Sequence, residues 1–294
     1  MVFSPDGTTL LTGDGAGNAY LWSAATGRKI AELANPGDSG EVLSVALSPD
    51  GSLAAVGYRD GSTSIWNVST GARLGIIPGP ARDGEVNWLA FSPSGSLLAV
   101  GQRNGSTYLW QVSANGAATG VGTLRDPASN EGIWAVAFSP DGSMLATTDY
   151  AGNVDIWRVS NPAAPPAESF ATPDGMLGTA VAFSPDGHSL AVGTGNQNGT
   201  AAGTTYVWPL GGGSPASFVE PETVWGLAFV GNGKLALADD DGTTYLVNLR
   251  TSQQVTLSDP ASGPYGVGAV AVSPDDATLA TGDTNGTTYL WQIG

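Results

Sequence analysis

Residues 267–293 read VGAVAVSPDDATLATGDTNGTTYLWQI. The stretch holds an apolar run, a Ser-Pro-Asp turn, a second apolar run, an Asn-Gly turn and a third run ending in Trp291. Pro in a tight turn and Asn-Gly between two short runs are hairpin signals, so the three runs read as consecutive antiparallel strands a, b and c. One such sheet cannot bury both of its faces alone. It needs copies of itself to stack against.

The same unit recurs seven times along the chain, its third run ending at Trp22, Trp66, Trp110, Trp157, Trp208, Val247 and Trp291. These positions stand 44, 44, 47, 51, 39 and 44 residues apart. A period of roughly 40–45 residues is that of one four-stranded propeller blade. Strand a is expected at Val42–Ser48, Val86–Ser92, Ile133–Ser139, Thr179–Ser184, Val224–Val230 and Val267–Ser273, with only Val2–Ser4 in the first copy. Strand b follows at Leu10–Thr12, Leu53–Val56, Leu97–Val100, Leu145–Thr147, Leu190–Val192, Leu235–Leu237 and Leu279–Thr281. A weaker strand d appears in six copies, at Ile30–Leu33, Leu74–Ile77, Val121–Leu124, Glu168–Phe170, Ala216–Val219 and Gln254–Leu257.

The expected fold is therefore all-β: a single domain over residues 1–294, a seven-bladed propeller of four-stranded antiparallel blades whose last blade lacks its outer strand. Thr287–Ile293 is then an open edge. The expectation is that the missing strand lies upstream of Met1 in a longer protein, and that the chain is a monomer unless this edge pairs with another chain.

The turns have mechanisms of their own. In Ser4–Gly7, Ser48–Gly51, Ser92–Gly95, Ser139–Gly142 and Ser184–Gly187, Pro or its neighbour opens a type I turn and Gly takes the left-handed place. Asp60-Gly61, Asn104-Gly105, Asp241-Gly242 and Asn285-Gly286 join b to c. Three places break the pattern. Residues 196–203 lengthen one b–c turn, Ala163–Pro166 stiffens the link after the fourth copy, and the sixth copy has Val230-Gly231-Asn232-Gly233 and Val247 in place of its turn and its Trp.

Composition agrees with a buried core: 41% of the 294 residues are hydrophobic, 12% are charged, and 43 Gly and 19 Pro supply turns. A net charge of −16 argues against nucleic acid or an anionic membrane as partner. With no Cys there is neither a disulfide nor a thiolate metal site, and no apolar run approaches membrane-spanning length. Composition leaves the compartment open, cytoplasmic or extracytoplasmic.

Candidate chemistry is sparse. The single His, His188, falls in an a–b turn, which leaves little room for Ser-His-Asp or Cys-His catalysis. Asp6, Asp50, Asp141, Asp186 and Asp275 recur once per copy at a turn and read as turn formers. Asp239–Gly242 and Asp14–Asn18 are acidic or polar hairpin tips without the spacing of a dedicated calcium loop. No catalytic residue, cofactor or metal is expected.

Taken together, the period, the turn dipeptides and the closing Trp resemble the WD-repeat (WD40) family of seven-bladed β-propellers over the whole chain. Two departures stand out. No Trp is followed by Asp, since Ser23, Asn67, Gln111, Arg158, Pro209 or Gln292 stands there, and no Gly-His pair precedes strand a. The family's buried Asp-His-Ser-Trp network therefore cannot form as usually drawn. Gly-, Ala- and Thr-rich copies of this kind look like bacterial propellers, including those attached to serine/threonine kinases.

The resemblance implies a top face made of the d–a and b–c connections, with strand a lining the channel. Residues that break the repeat there are the candidates for binding. The start of strand a carries Leu43, Asn87, Trp134, Thr179, Trp225 and Gly268 at equivalent places, with Trp88 one place later in its copy and Tyr265 ahead of the last. The b–c tips add Tyr58-Arg59, Gln102-Arg103, Asp149-Tyr150, Asp239-Asp240 and Asp283, with Arg82 between the two arginine tips in sequence and Glu41, Glu85, Glu131 and Glu222 near the strand starts. Aromatic anchors flanked by charges of both signs suit a peptide or loop with an apolar anchor and one basic segment. Packing inside the channel is the competing explanation for the aromatics. The function expected is a non-catalytic scaffold for protein or peptide recognition. The alternatives are a kinase sensor domain, a propeller enzyme or small-ligand binder, and a purely structural repeat.

Overall fold

The computed structural model describes all residues except 36, 38–39, 80–83, 126–131, 197–200, 259–265 and 294. Every regular element in it is a strand. Blade 1 comprises β1 (Val2–Phe3), β2 (Thr9–Gly13), β3 (Asn18–Ser23) and β4 (Lys29–Ala34). Blade 2 comprises β5 (Val42–Leu47), β6 (Leu53–Tyr58), β7 (Thr63–Asn67) and β8 (Arg73–Ile77). Blade 3 has β9 (Val86–Phe91), β10 (Leu97–Gln102), β11 (Thr107–Val112) and β12 (Ala118–Leu124). Blade 4 has β13 (Ile133–Phe138), β14 (Met144–Asp149), β15 (Asn153–Arg158) and β16 (Glu168–Ala171). Blade 5 is formed by β17 (Leu177–Phe183), β18 (Ser189–Gly195), β19 (Thr204–Pro209) and β20 (Ala216–Val219). Blade 6 is formed by β21 (Val224–Val230), β22 (Lys234–Asp239), β23 (Thr243–Asn248) and β24 (Gln254–Ser258). Blade 7 has β25 (Val267–Val272), β26 (Thr278–Asp283) and β27 (Thr288–Gln292).

Strands pair in chain order within each sheet, giving six four-stranded blades and one of three strands. Strand a of each blade touches strand a of the next, and β1 touches both β5 and β25, so the seven sheets close into a ring. Strand a is innermost. Strand d is outermost, which is why Ile30, Ile76, Val121, Val219 and Val255 are exposed there.

The core lies between blades rather than inside them. Leu33 of β4 packs with Ala54, Val56 and Trp66 of blade 2, and Leu124 of β12 packs with Leu145 and Trp157 of blade 4. Each such side chain, removed from water, contributes about 1.5–3 kcal/mol, and the same contact repeats around the ring.

The a–b turn explains the recurrence of Ser-Pro-Asp-Gly. Ser48 Oγ donates to Asp50 Oδ1 at 2.6 Å and accepts from the Leu53 amide at 2.9 Å, while Asp50 Oδ1 accepts from the Ser52 amide at 3.0 Å. Gly51 completes the turn with a left-handed φ, where a Cβ would be strained, and in blade 7 Asp276 holds that place, also at positive φ. Strand a accordingly stops one residue before the Ser in most copies. In blade 5 it starts earlier than the sequence suggests, at Leu177, because Leu177 pairs with Gly195 and Gly178 with Thr194 ahead of a bulge.

The closing Trp keeps a shortened hydrogen-bond arrangement. Trp22, Trp157 and Trp291 donate their indole N–H to Thr12, Thr147 and Thr281 of strand b at 2.8, 3.0 and 2.9 Å. In these three blades a threonine one strand away satisfies the indole; in blade 2 Val56 stands there, and the buried Trp66 Nε1 has no hydrogen-bond partner among the described residues.

Candidate partner-binding face

Six blades share one irregularity at the start of strand a. The pairing register slips by one residue, leaving Leu43, Asn87, Trp134, Thr179, Trp225 or Gly268 opposite no partner. A bulge re-aims its extra side chain and is common beside functional sites. The repeat therefore supplies a variable position on an invariant backbone.

Trp134 and Trp225 come from blades 4 and 6, with blade 5 between them, yet their rings stack at 5.6 Å with a 28° interplanar angle. Blade 5 leaves the room, since Gly178, Thr179 and Ala180 occupy its strand start. The Tyr150 ring meets Trp134 edge-on at 4.9 Å, and the Arg103 guanidinium lies 5.6 Å from the centre of the Tyr150 ring. Glu85 pairs with Arg103 at 3.1 Å. The result is a continuous line Glu85–Arg103–Tyr150–Trp134–Trp225 across three blades, and all three aromatic side chains are half-buried. Burial raises the Tyr150 phenol above its ordinary value, so it stays a neutral donor.

Two polar bulge residues hold the aromatic ones in place. Asn87 Nδ2 donates to the carbonyl of Ile133 at 2.7 Å, and Thr179 Oγ1 donates to the carbonyl of Val224. Each acceptor is the residue immediately before a bulge Trp. Neither clamp follows from the sequence, because the partners lie 46 and 45 residues apart in neighbouring blades.

Trp88 is not a bulge residue. It pairs with Gly101, at the place that Ser44, Ala135, Ala180, Gly226 and Ala269 hold in other blades. Its half-buried ring packs against the clusters joining blade 3 to blade 4 and blade 4 to blade 5. Tyr265, Arg82 and Glu131 lie outside the described residues.

The b–c tips divide by position. Tyr58, Gln102, Asp149 and Asp239 end strand b and are buried, so they present no surface to a partner. Gln102 Nε2 donates to the Gly61 carbonyl at 3.2 Å, and Asp149 Oδ1 accepts from the amides of Ala151 and Asn153 at 2.9 and 2.8 Å. Arg59, Arg103, Tyr150 and Asp240 come one residue later, on the turn, and reach solvent at least in part. Arg59 pairs with Glu41 at 2.6 Å, as Arg103 does with Glu85. Both arginine tips are thus ion pairs rather than a free basic sector, and exposed pairs of this kind add only about 0–1 kcal/mol.

Blade 6 concentrates negative charge. Glu220 and Asp239 are almost fully buried. Burial, then Asp239 and Asp241, push the Glu220 carboxyl up to about 7, and burial, then Asp241, push Asp239 up to about 7 as well. Among the described residues no group of three or more Asp, Glu or His side chains is arranged to hold a metal ion. Asp14, at one of the hairpin tips, accepts from the amides of Ala16 and Asn18 at 2.9 and 2.8 Å and closes its own turn. His188 sits on the blade 5 turn with its side chain 85% exposed.

A second feature of the rim was not anticipated from the sequence. Between blades 7, 1 and 2 a cleft of about 650 Å³ opens, lined among others by Thr12, Tyr20, Leu43, Gly268 and Asp283. Within blade 1, β1 pairs Val2 and Phe3 with Leu11 and Leu10, and Thr12 and Gly13 line the cleft. Of the lining residues, only the small Gly268 marks the place in the sequence.

Comparison with known proteins bears on the architecture. The family profile described as "WD domain, G-beta repeat" matches residues 27–67, 71–111, 120–158 and 252–292, more than half of the chain. Each match runs from the d strand of one blade through the c strand of the next, and the unmatched stretch includes the lengthened fifth and degenerate sixth copies. No curated protein matches the chain. Among solved structures it is similar to a chain of "Crystal Structure of Mitotic Checkpoint Complex", with a TM-score of 0.81 and 23% identity, covering 99% of this chain and 86% of that one. That likeness shows the fold alone. Closed ring, blade topology and profile match agree: the chain belongs to the WD domain, G-beta repeat (WD40) family.

Proposed function

We propose that the protein is a non-catalytic recognition scaffold whose top face binds a peptide or protein segment, with the Trp134–Trp225 pair as its anchor. The observation that carries this reading is that stacked pair, presented half-buried from two bulges at the channel mouth. Large rigid aromatics give contact area at small entropic cost, and they are enriched among the residues that dominate binding energy. WD40 propellers are typically protein-interaction scaffolds, and the similar solved chain comes from a protein complex. Tyr150 and Arg103 border the anchor, and Asp240 donates its amide to the Thr223 carbonyl two residues before Trp225. The net charge of −16 and the half-buried Glu222 and Asp240 favour a segment carrying Lys or Arg beside an apolar residue.

The test is selection from a displayed library of random twelve-residue peptides against the whole chain. Selected peptides should combine an aliphatic or aromatic residue with a basic one. They should bind Trp134→Ala and Trp225→Ala proteins at least about tenfold more weakly, as loss of an anchor implies. Peptides that bind both variants as well as the original would remove this face as the site.

A further inference from the structure

At the end of the strands opposite the channel mouth, the a–b turns of neighbouring blades abut. Pro140 of the blade 4 turn, for example, stands 3.7 Å from where a Cβ on Gly187 of the blade 5 turn would lie. The third residue of each turn is Asp except in blades 3 and 6, which have Ser94 and Asn232. On strand d, the residue opposite the one that precedes the closing Trp or Val247 is small or apolar in five blades: Ala31, Gly75, Gly122, Ala216 and Val255. In blade 4 it is Glu168, opposite Ile156. Strand alternation sets Glu168 on the side of β16 that carries Phe170, whose ring meets Trp208 of blade 5. Of the six junctions from blades 1–2 to blades 6–7, that between blades 4 and 5 alone combines Asp on both turns with a carboxylate on the intervening strand d.

A pocket of about 320 Å³ opens at this junction. It has room because β16 begins only at Glu168, so strand d leaves Trp157 and Arg158 of β15 without a partner on that side. The floor is apolar, with Met144 and Ile156 from blade 4 and Phe183 and Leu210 from blade 5, all buried or half-buried. The exposed carboxylates of Asp141, Glu168 and Asp186 form the rim, and no Lys or Arg is among the lining residues. Ser139 Oγ donates to Asp141 Oδ1 and Ser184 Oγ to Asp186 Oδ1, both at 2.6 Å. These bonds hold both carboxyls below the ordinary carboxylate range, so both are charged at neutral pH. Turn formation accounts for the two Asp. It does not account for Glu168, whose carboxylate has no hydrogen-bond or ion-pair partner among the described residues. His188 Nδ1 comes within 3.6 Å of Asp186, but its side chain is 85% exposed and does not line the pocket. A third negative charge beside two fixed ones is unfavourable unless a cation answers it.

We propose that this pocket is a docking point for an Arg side chain of a partner polypeptide, its aliphatic stem against Met144, Ile156, Phe183 and Leu210 and its guanidinium among Asp141, Glu168 and Asp186. Arg fits both layers, since its stem covers apolar surface while its planar head offers five donors in a fixed fork that matches carboxylates. The volume is at the small end of the range for ligand sites, about 300–1,000 Å³, which suits one long side chain. Exposed ion pairs each contribute little, so a free cation gains little here. A polypeptide adds contacts over the two turns on either side. The net charge of −16 favours such a basic partner. The pocket lies at the far end of the strands from Trp134 and Trp225 and does not depend on a role for them.

The test selects displayed random twelve-residue peptides on the whole chain after depletion on a Glu168→Arg protein, which removes binders of every other surface. The survivors should carry Arg beside aliphatic residues. A synthetic copy of the leading peptide should bind Glu168→Gln protein at least about fivefold more weakly, and a copy with citrulline for Arg, the same shape without the charge, at least about tenfold more weakly. With methyl-labelled methionine, the Met144 signal should shift on binding while Met1 and Met176, which do not line the pocket, stay in place. Trp134→Ala should bind the peptide as the original does, which separates this site from the channel mouth. Four outcomes overturn the proposal: no Arg-bearing peptide surviving depletion, equal binding of the citrulline copy, an unmoved Met144 signal, or N-acetyl-arginine amide shifting Met144 at concentrations as low as the peptide does, which would make the occupant a small free cation.

Discussion

The two sides of the channel mouth are built from the same bulge and end differently. Across blades 4 to 6 the bulge residues are Trp134, Thr179 and Trp225, and two indoles meet over the small strand start of blade 5. Across blades 7, 1 and 2 they are Gly268 and Leu43, and a cleft of about 650 Å³ lies beside them. The backbone hardly distinguishes them. What differs is the side chain at one unpaired position, which shows that a repeat can vary its surface without disturbing its stacking.

A change of pH should set the two sides apart most strongly, because the filled side carries buried acid behind its aromatics. Glu220 and Asp239 have folded-state values near 7, above the usual carboxylate range. The folded chain therefore holds protons that the unfolded chain releases, and their contribution to stability is greatest below about pH 4 and lost as pH rises towards 7. The turn carboxylates act oppositely: hydrogen bonds from Ser4 and Thr8 hold Asp6 down at about 2, so its contribution is lost as pH falls from about 4 to 2. Urea unfolding across pH 3 to 8 should show stability peaking on the acid side of neutrality. Asp239→Asn should flatten the fall between pH 5 and 7, whose full size is on the order of a few kcal/mol. A curve that rises steadily to pH 7 in the unaltered protein would contradict the buried acid pair.

Opening the filled side comes next in size. Trp134→Ala removes the ring that joins Tyr150 to Trp225. Truncating a fully buried Trp costs about 3–5 kcal/mol, and the loss of this half-exposed ring should fall at or below the lower end of that range. Loss of the near-ultraviolet circular dichroism of the coupled indoles would accompany it. Unchanged stability and spectrum would mean that the stack contributes nothing in solution.

A smaller effect is expected at the a–b turn of blade 7, at the other end of its strands from the channel mouth. Asp276→Gly restores the residue that five other a–b turns place in the left-handed conformation. Relief of the Cβ strain there should stabilise the chain by about 0.5–1 kcal/mol. A thermal unfolding midpoint raised by a degree or two would register it. The least change is expected from filling the cleft. A Cβ added at Gly268 meets Thr284 Cγ2 first, at an ordinary 3.6 Å. Gly268→Trp should therefore behave as a surface substitution, altering stability by roughly ±0.5 kcal/mol at most, while copying the other side's aromatic. A large loss there would show that the cleft is less open than its lining implies.

Much of this was legible in the chain itself. Seven copies of one turn-punctuated pattern fix strands, order and blade number, because an amphipathic three- or four-stranded sheet has no stable state except stacked on its like. The six variable residues at the strand starts could also be aligned by eye, since Ser-Pro-Asp-Gly and the closing Trp supply a ruler. Which of them meet could not. Trp134 and Trp225 are separated by a whole blade in sequence and by 5.6 Å in space, and their clamps, Asn87 and Thr179, act on the neighbouring blade. Nor could the pattern tell Asp149 from Tyr150 at a tip, although one is buried and closes the turn while the other joins the aromatic line. Local spacing determines which residues form strands and turns because those depend on neighbours along the chain. The channel mouth and the contacts between neighbouring sheets depend on distances between blades, and only closure of the ring sets those.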